Sequence, residues 1–226
     1  MQIRAQYDKA HFEDIGSYSA YPDCFGAAWK NSREKCKIQA NAENHEKAGK
    51  ENMKSIYLAG GCFWGTQKFF DQFDGVLKTE VGYANGPTEN PSYQDVCAKS
   101  GHAETVKIVY DPEIITLPQL IEYYFMTIDP LAYHRQGADR GIQYRTGIYY
   151  TDEEDLSVLE DCYAREQEKY KQKMEVELMP LENFYPAEEY HQKYLEKNPG
   201  GYCHIPKALL DLQKSEEQKA QTSVIL

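Results

Sequence analysis

Gly60, Gly61, Cys62, Phe63, Trp64 and Gly65 stand between a short apolar run and a helical pattern, and this junction constrains the chain more than any other segment. Ile56, Tyr57 and Leu58 before it read as a strand, so Cys62 is expected to open a helix. The unpaired N–H groups and positive end of a helix favour an anion there, which predicts a lowered thiol pKa and a nucleophilic sulfur. The glycines permit a tight turn and close approach of backbone to a ligand, and Phe63 and Trp64 set a large apolar surface beside the sulfur. A reactive thiol against an aromatic wall suggests a small apolar group held at a sulfur. The competing reading makes Cys62 a small buried hydrophobe and its aromatic neighbours core.

The chain around this junction divides by texture. Residues 1–52 are polar and poorly periodic, with a charged Asn/Ala-rich stretch over 35–51, and are expected to form an extension. The catalytic domain is expected over 53–212 and a polar tail over 213–226. Within the domain the patterns predict a strand at 55–59, a helix at 63–73, strands at 76–83 and 103–110, and a long Gly/Pro/Asn loop at 85–100 between those two. Leu117, Leu120, Ile121, Tyr124, Phe125 and Ile128 then lie at helical spacing. A loop at 129–143 leads to a strand at 145–150. Thr151 with Glu154 suggests a capping box for a helix running to about Lys173, followed by a strand at 175–179, a short helix at 187–196 and a loop through Pro199, Gly200 and Gly201 to Cys203. The β-α-β-β-α-β order predicts an α/β sandwich with a ferredoxin-like split βαβ core: a mixed sheet with helices packed on it, and unusually long loops of the kind that serve function.

With 226 residues and 41% hydrophobic content, one well-buried domain with extensions is expected. No apolar stretch approaches the roughly 18 residues of a membrane span, and the first ten residues have no signal-like apolar region, so a soluble, cytoplasmic protein is expected. The six cysteines contain no Cys-x-x-Cys and do not read as a disulfide scaffold or zinc site. Residues 1–52 carry eight basic and eight acidic residues, leaving 17 against 28 downstream and hence the whole net charge of −11. An acidic catalytic region argues against nucleic acid as substrate.

Several polar residues lie on or beside the long loops. Glu104 precedes Val106, Ile108 and Tyr110 on the alternating pattern of a strand, and a half-buried carboxyl there would have a raised pKa and act as an acid near neutral pH. His102 with Glu104 echoes the His-x-Glu of zinc deaminases, but the Pro-Cys-x-x-Cys that supplies the other ligands is absent. Arg135, Gln136, Gly137, Asp139, Arg140 and Gly141 precede Gln143, Tyr144 and Arg145, and Tyr93 sits in the other long loop.

The run Gly60 to Gly65, the segments Asn90-Pro91-Ser92-Tyr93 and Gly101-His102-Ala103-Glu104, the loop Arg135-Gln136-Gly137 with Asp139, Gln143-Tyr144-Arg145, and Tyr185-Pro186-Ala187-Glu188 with His191-Gln192-Lys193-Tyr194 together resemble peptide methionine sulfoxide reductase, type A. The resemblance spans about residues 55–206. It implies that Cys62 attacks the sulfoxide sulfur, that Glu104 gives the sulfoxide oxygen its proton, that Tyr93 and Tyr144 donate hydrogen bonds to that oxygen, and that Phe63 and Trp64 hold the terminal methyl group of the substrate. Asp139 takes a supporting role in ordering the site. Methionine release leaves Cys62 as a sulfenic acid, which Cys203, resembling the resolving cysteine behind its mobile glycines, converts to a disulfide for thioredoxin. Cys97 is the second candidate for that role, and Cys162, within a helix pattern, is read as packing.

The implied activity is thiol-dependent reduction of the S epimer of free or peptidyl methionine sulfoxide, a repair of oxidative damage. It needs no metal and no bound organic cofactor, and its partners are the sulfoxide substrate and thioredoxin, with a monomeric enzyme and no nucleic acid or membrane. Two other readings remain: a cysteine acyl-transfer hydrolase, which requires a histidine base beside Cys62, and a non-catalytic redox sensor built on a Cys62–Cys203 disulfide.

Overall fold

The computed structural model describes residues 53–212. The expected N-terminal extension, with Cys24 and Cys36, and the expected C-terminal tail lie outside the described residues.

Strand β1 (Lys54–Gly60) runs into helix α1 (Phe63–Phe70), and β2 (Val76–Ala84) returns as the next strand of the sheet. A short helix α2 (Tyr93–Cys97), strand β3 (Ala103–Tyr110) and helix α3 (Leu117–Thr127) follow. The two-residue strands β4 (Arg135–Gln136) and β5 (Asp139–Arg140) make a small hairpin ahead of β6 (Thr146–Tyr150), α4 (Leu156–Gln167), β7 (Glu177–Pro180), β8 (Phe184–Pro186), α5 (Tyr194–Lys197) and α6 (Lys207–Leu210). The main sheet has the order β7-β6-β1-β3-β2-β8. Its four central strands are antiparallel, with β3 lying between β1 and β2, so the expected split βαβ core is present. β7 extends one edge in parallel and β8 the other in antiparallel, which makes the sheet mixed.

Period-two alternation explains the two faces. Val81, Val106, Leu58 and Ile148 pair across four strands and form one continuous row. Phe63, Phe69 and Phe70 of α1 cluster with that row, together with Leu120, Ile121 and Tyr124 of α3 and Leu159 and Cys162 of α4. The opposite face is thinner: Tyr57, Ala59, Ala84, Ala103 and Tyr149 are covered by Met179, Leu181 and Phe184. Helix α3 begins where the apolar period and capping chemistry agree, since Thr116 and Gln119 form a reciprocal box and Pro118 occupies the first turn. The Tyr124 hydroxyl donates to the Ala59 carbonyl at 2.8 Å, tying α3 to the end of β1 just before the site.

Several expected bounds shift for local reasons. Helix α1 stops at Phe70, and Phe73 closes the turn into β2 by stacking on Tyr123 at 4.2 Å, with Gly75 at φ +89° completing the reversal. The loop at 85–100 holds α2, initiated by a Ser92–Asp95 capping box that Gly/Pro-rich surroundings concealed. Thr151 and Glu154 form no box; Asp152 instead accepts the Glu154 N–H at 3.0 Å in a single tight turn, and α4 ends at Gln167 rather than near Lys173. Strand β7 begins at Glu177, two residues on from the start expected. The helix expected over 187–196 is broken by Lys193 at φ +53°, so only Tyr194–Lys197 is helical, and Phe184–Pro186, a segment without a strand pattern, pairs with β2 as β8.

The 85–101 loop and the turn before β6 are fastened by one buried guanidinium. Arg145 donates to the carbonyls of Asn85 (3.0 Å), Gly101 (2.9 Å) and Ile142 (3.2 Å) and to the Glu177 carboxylate (3.0 Å), which also accepts the Tyr149 hydroxyl at 2.6 Å. Both ends of the 85–101 loop, the turn before β6 and strand β7 thus meet on one side chain, in a planar geometry an ammonium cannot reproduce. Replacing Arg145 by Met leaves these carbonyls buried without a donor, and the expected loss is about 3 kcal/mol of stability, measurable as a lower urea midpoint at unchanged m value.

Candidate active site

Cys62 caps α1 from an extended backbone (φ −64°, ψ 119°), directly after Gly61 at φ +82°. A Cβ at Gly61 would lie 2.5 Å from Gln136 Cβ, so the β4 hairpin can close on the Cys62 backbone only because residue 61 lacks a side chain. Gln136 is itself fixed by exchanging hydrogen bonds with the Asp129 N–H (2.8 Å) and carbonyl (2.9 Å).

Glu104 lies on β3 opposite Tyr83 and is almost wholly buried at 2% exposure, more than the half-burial its strand pattern suggested. Its Oε2 accepts the N–H of Phe63, the residue after Cys62, at 3.1 Å. Burial raises its pKa to about 8; the Phe63 hydrogen bond lowers it and the nearby Asp139 charge adds to the rise. At neutral pH Glu104 therefore carries its proton and is an acid in reserve.

The expectation of a lowered thiol pKa at Cys62 is overturned. The N–H groups of Trp64 and Gly65 do act to lower it, but burial raises it more, with Glu104 and Asp139 adding to the rise, and the thiol stands well above its ordinary value. Desolvation of the thiolate outweighs the partial charge of a helix N-terminus. The resting pair is a neutral thiol beside a neutral carboxylic acid, with two protons between them.

The two loops deliver the remaining groups. Tyr93 is the first residue of α2, and its N–H donates to Glu188 Oε1 at 2.9 Å while the Tyr83 hydroxyl donates to Glu188 Oε2 at 2.8 Å. Tyr144 lies in the one-turn helix Ile142–Tyr144 that Arg145 anchors. Burial foremost raises both hydroxyls, with the charges of Glu104 and Cys62 adding to it; Tyr93 is raised further by its hydrogen bond with Cys97. Both tyrosines remain protonated donors around the same thiol and carboxyl. Asp139, on β5, is raised by burial and pulled back by the Tyr202 hydroxyl, and its charge acts on Cys62, Glu104, Tyr144 and Cys203.

Phe63 is buried against Tyr83 and His191, and Trp64 stacks on Tyr194 with ring centres 3.8 Å apart. Cys203 is half-buried and free, and a Cβ at Gly65 would come within 2.8 Å of its sulfur. The sulfur therefore rests on the bare backbone of α1, three residues beyond Cys62. Cys97 is free and exposed on α2, and Cys162 is buried on α4 in contact with Arg165 at 3.2 Å, the packing position expected of it. Cys62, Phe63, Trp64, Tyr93, Glu104, Asp139, Tyr144 and Cys203 are thus brought together from six separate segments.

Glu188, His191, Tyr194 and Tyr202 belong to the same constellation and carried no role in the sequence reading. Glu188, His191 and Tyr194 fall in the segment expected as a helix and Tyr202 in the loop expected before Cys203, and the even mixture of polar and aromatic residues over 185–194 gives no face that points inward. Among the described residues no group of three or more His, Cys, Asp and Glu is placed to hold a metal ion, and no helix is long and apolar enough to cross a membrane.

Residues 54–223 match the sequence model of the family described as peptide methionine sulfoxide reductase. The chain belongs to that family. It is 58% identical over 159 residues to the peptide methionine sulfoxide reductase MsrA of Clostridium acetobutylicum, covering 70% of this chain and 98% of the relative. It is 52% identical over 163 residues to MsrA of Lachnoclostridium phytofermentans, covering 72% and 98%. Among solved structures it is similar to reduced Mxr1 from Saccharomyces cerevisiae (38% identity, TM-score 0.66, covering 69% of this chain and 92% of that one). It is also similar to methionine sulfoxide reductase A of Corynebacterium diphtheriae (34% identity, TM-score 0.63, covering 69% and 84%). As a methionine sulfoxide reductase of this family the chain is an oxidoreductase.

With Glu104 as the proton donor that the resemblance implies, its raised pKa gives the direction of the expected pH profile. The acid form is present below about pH 8 and is lost as pH rises through that value. Methionine formation in a single turnover, followed by rapid quench, is expected to be flat near neutrality and to fall above about pH 8. Glu104→Gln should run roughly 10²- to 10⁴-fold slower, the usual worth of a positioned general acid, and should lose the alkaline fall.

Proposed function

We propose that Cys62 reduces the S epimer of free and peptidyl methionine sulfoxide and is recycled through a Cys62–Cys203 disulfide by thioredoxin. The observation that carries this reading is the buried Glu104 carboxyl, bonded to the Phe63 N–H beside Cys62 and holding its proton at neutral pH. A sulfoxide sulfur accepts a nucleophile only as its oxygen gains a proton, and this site keeps an acid next to the thiol. Tyr93 and Tyr144 donate to the sulfoxide oxygen from the two loops, while Phe63 and Trp64 enclose the methyl group. The Cys62 sulfur bonds to the sulfoxide sulfur as Glu104 gives the oxygen a proton and takes up the thiol proton; the hydroxyl oxygen then passes to the Cys62 sulfur as the S–S bond and the substrate S–O bond break, so that in sum Cys62–SH and the sulfoxide give Cys62–SOH and the thioether. The sulfoxide is reduced by two electrons and the sulfur of Cys62 is oxidised by two.

Cys203 then displaces hydroxide from the sulfenic sulfur, which leaves as water, and the disulfide forms. Its seat on Gly65 supports this assignment over Cys97, whose neighbour is the Tyr93 hydroxyl. Cys203 is half-exposed and Cys62 buried, so an incoming thioredoxin thiolate meets the Cys203 side of the bond. The hydrolase reading requires a histidine base bonded to the Cys62 thiol, and among the described residues the thiol's hydrogen-bond partners are the N–H groups of Trp64 and Gly65.

Chemistry and recycling should separate in Cys203→Ser. About one methionine per enzyme is expected in a single turnover, followed by arrest with thioredoxin and a sulfenic acid at Cys62 trapped by a dimedone-type reagent. Intramolecular disulfide formation and normal cycling in that variant would transfer the resolving role to another cysteine. Cys62→Ser is expected to yield no methionine at all; a disulfide that forms with peroxide but never with sulfoxide in the parent chain would instead mark a redox sensor.

A further inference from the structure

His191 sits at the centre of the apolar wall and has been given no part in the reaction. It is 1% exposed. Its ring lies 4.5 Å from Tyr93, 5.2 Å from Phe63, 5.6 Å from Trp64 and 4.2 Å from Tyr190, centre to centre. The Trp64 Nε1–H donates to His191 Nδ1 at 3.1 Å. An indole nitrogen only donates, so the geometry requires Nδ1 to be bare and the imidazole proton to sit on Nε2. That Nε2 is buried without a hydrogen-bond partner among the described residues. Trp64 is thus held on one side by stacking on Tyr194 and along its edge by one polar bond whose acceptor is titratable.

We propose that His191 is a positioning residue for the substrate's methyl pocket: its unprotonated Nδ1 fixes the Trp64 indole, and protonation of the imidazole sets N–H against N–H, frees the indole and weakens substrate capture. The inference rests on the reading of Phe63 and Trp64 as the methyl-binding wall. The groups around the ring favour the neutral form. α1 presents only the uncharged Phe63 and Trp64, α2 presents Tyr93, and the ring's own segment brings Tyr190 and Glu188. Burial lowers the His191 pKa and the Glu188 charge only partly restores it, because that carboxylate already accepts the Tyr83 hydroxyl and the Tyr93 N–H. Tyr93 and Tyr190 have raised pKa values and stay uncharged, and Glu188, held below its ordinary value, stays ionised. Glu104 keeps its proton throughout acid and neutral pH, so the acid step does not change in the window where His191 titrates.

The consequence is a split between KM and kcat. In the parent chain, KM for methionine sulfoxide is expected to rise roughly fivefold, about the worth of one lost hydrogen bond, as pH falls from about 7.5 to below the ordinary histidine range near 6.5, with the single-turnover rate at saturation unchanged. The amide oxygen of an asparagine accepts a hydrogen bond where Nδ1 does and does not titrate, so His191→Asn should keep the parental KM at neutral pH and show no acid rise. His191→Leu should have a raised KM at every pH. A KM that climbs equally in the parent and in His191→Asn, or a parental KM in His191→Leu, would overturn the proposal. Long-range proton–nitrogen NMR on the unmutated chain gives a second measurement: Nδ1 must show the shift of a bare acceptor nitrogen at neutral pH, and a protonated Nδ1 there refutes the inference whatever the variants do. Trp64→Ala separates the two readings. If it leaves KM unchanged, the methyl-pocket reading fails; if it raises KM while the parental KM stays flat with pH, the role of His191 fails and the pocket stands.

Discussion

A carboxyl group buried at the mouth of a helix organises this site. Ionised, Glu104 would be costly to hold at that depth, and its one backbone donor, the Phe63 N–H, does not offset the desolvation. The fold resolves the conflict by leaving the proton on. Everything nearby follows from that choice. The thiol beside it cannot be the ready thiolate that a helix N-terminus suggests, since the same dry surroundings penalise its charge. The tyrosines remain donors for the same reason. The site holds a thiol, a carboxyl and two phenols in their uncharged forms rather than a free anion at Cys62.

Such a site needs walls that exclude water, and the walls come from loops. Loops ordinarily face solvent and carry unpaired backbone groups, so their burial here requires specific partners. Arg145 supplies them for the 85–101 loop and for the turn that carries Tyr144, Gln136 for the hairpin that carries Asp139, and Glu188 for the start of α2. A second network joins α1 to the C-terminal segment. Lys193 reaches Asp71 at 2.5 Å and Thr79 at 2.9 Å, and its N–H donates to Gln67 at 2.7 Å. The strained left-handed backbone at Lys193 is the turn by which both His191 and Tyr194 reach the Trp64 indole, one along its edge and the other on its face.

The regular elements were legible in the sequence because their signals are periodic and repeated. Leu58 closes a short apolar run, Val106 alternates with Ile108 and Tyr110, and α3 has both a capping box and a continuous apolar stripe. The glycines, cysteine and aromatics of 60–65 located the site's centre. What escaped depends on contacts distant in the chain. Phe184–Pro186 becomes a strand only because the β2 edge offers it partners. The segment over 187–193 has helix-like composition, yet its Glu188 is drawn to Tyr83 and Tyr93 and its His191 to Trp64 instead. The sign of the Cys62 pKa shift was missed because a helix terminus is visible in sequence and the depth of burial is not.

Gly65 shows how a conformational cost can be settled before a reaction starts. Cys62 and Cys203 are about 140 residues apart in the chain, and joining such distant points in an unfolded polymer carries a substantial loop-closure entropy. Here that loss belongs to folding, because the missing side chain at Gly65 lets the Cys203 sulfur settle against the helix that Cys62 begins. In the proposed cycle the second thiol therefore acts at a high effective molarity, while a small external thiol must find its way into a buried pocket. In that cycle the sulfenic acid is expected to be short-lived, so that over-oxidation to sulfinic acid, which needs a further oxidant to diffuse in, falls behind in the kinetic competition.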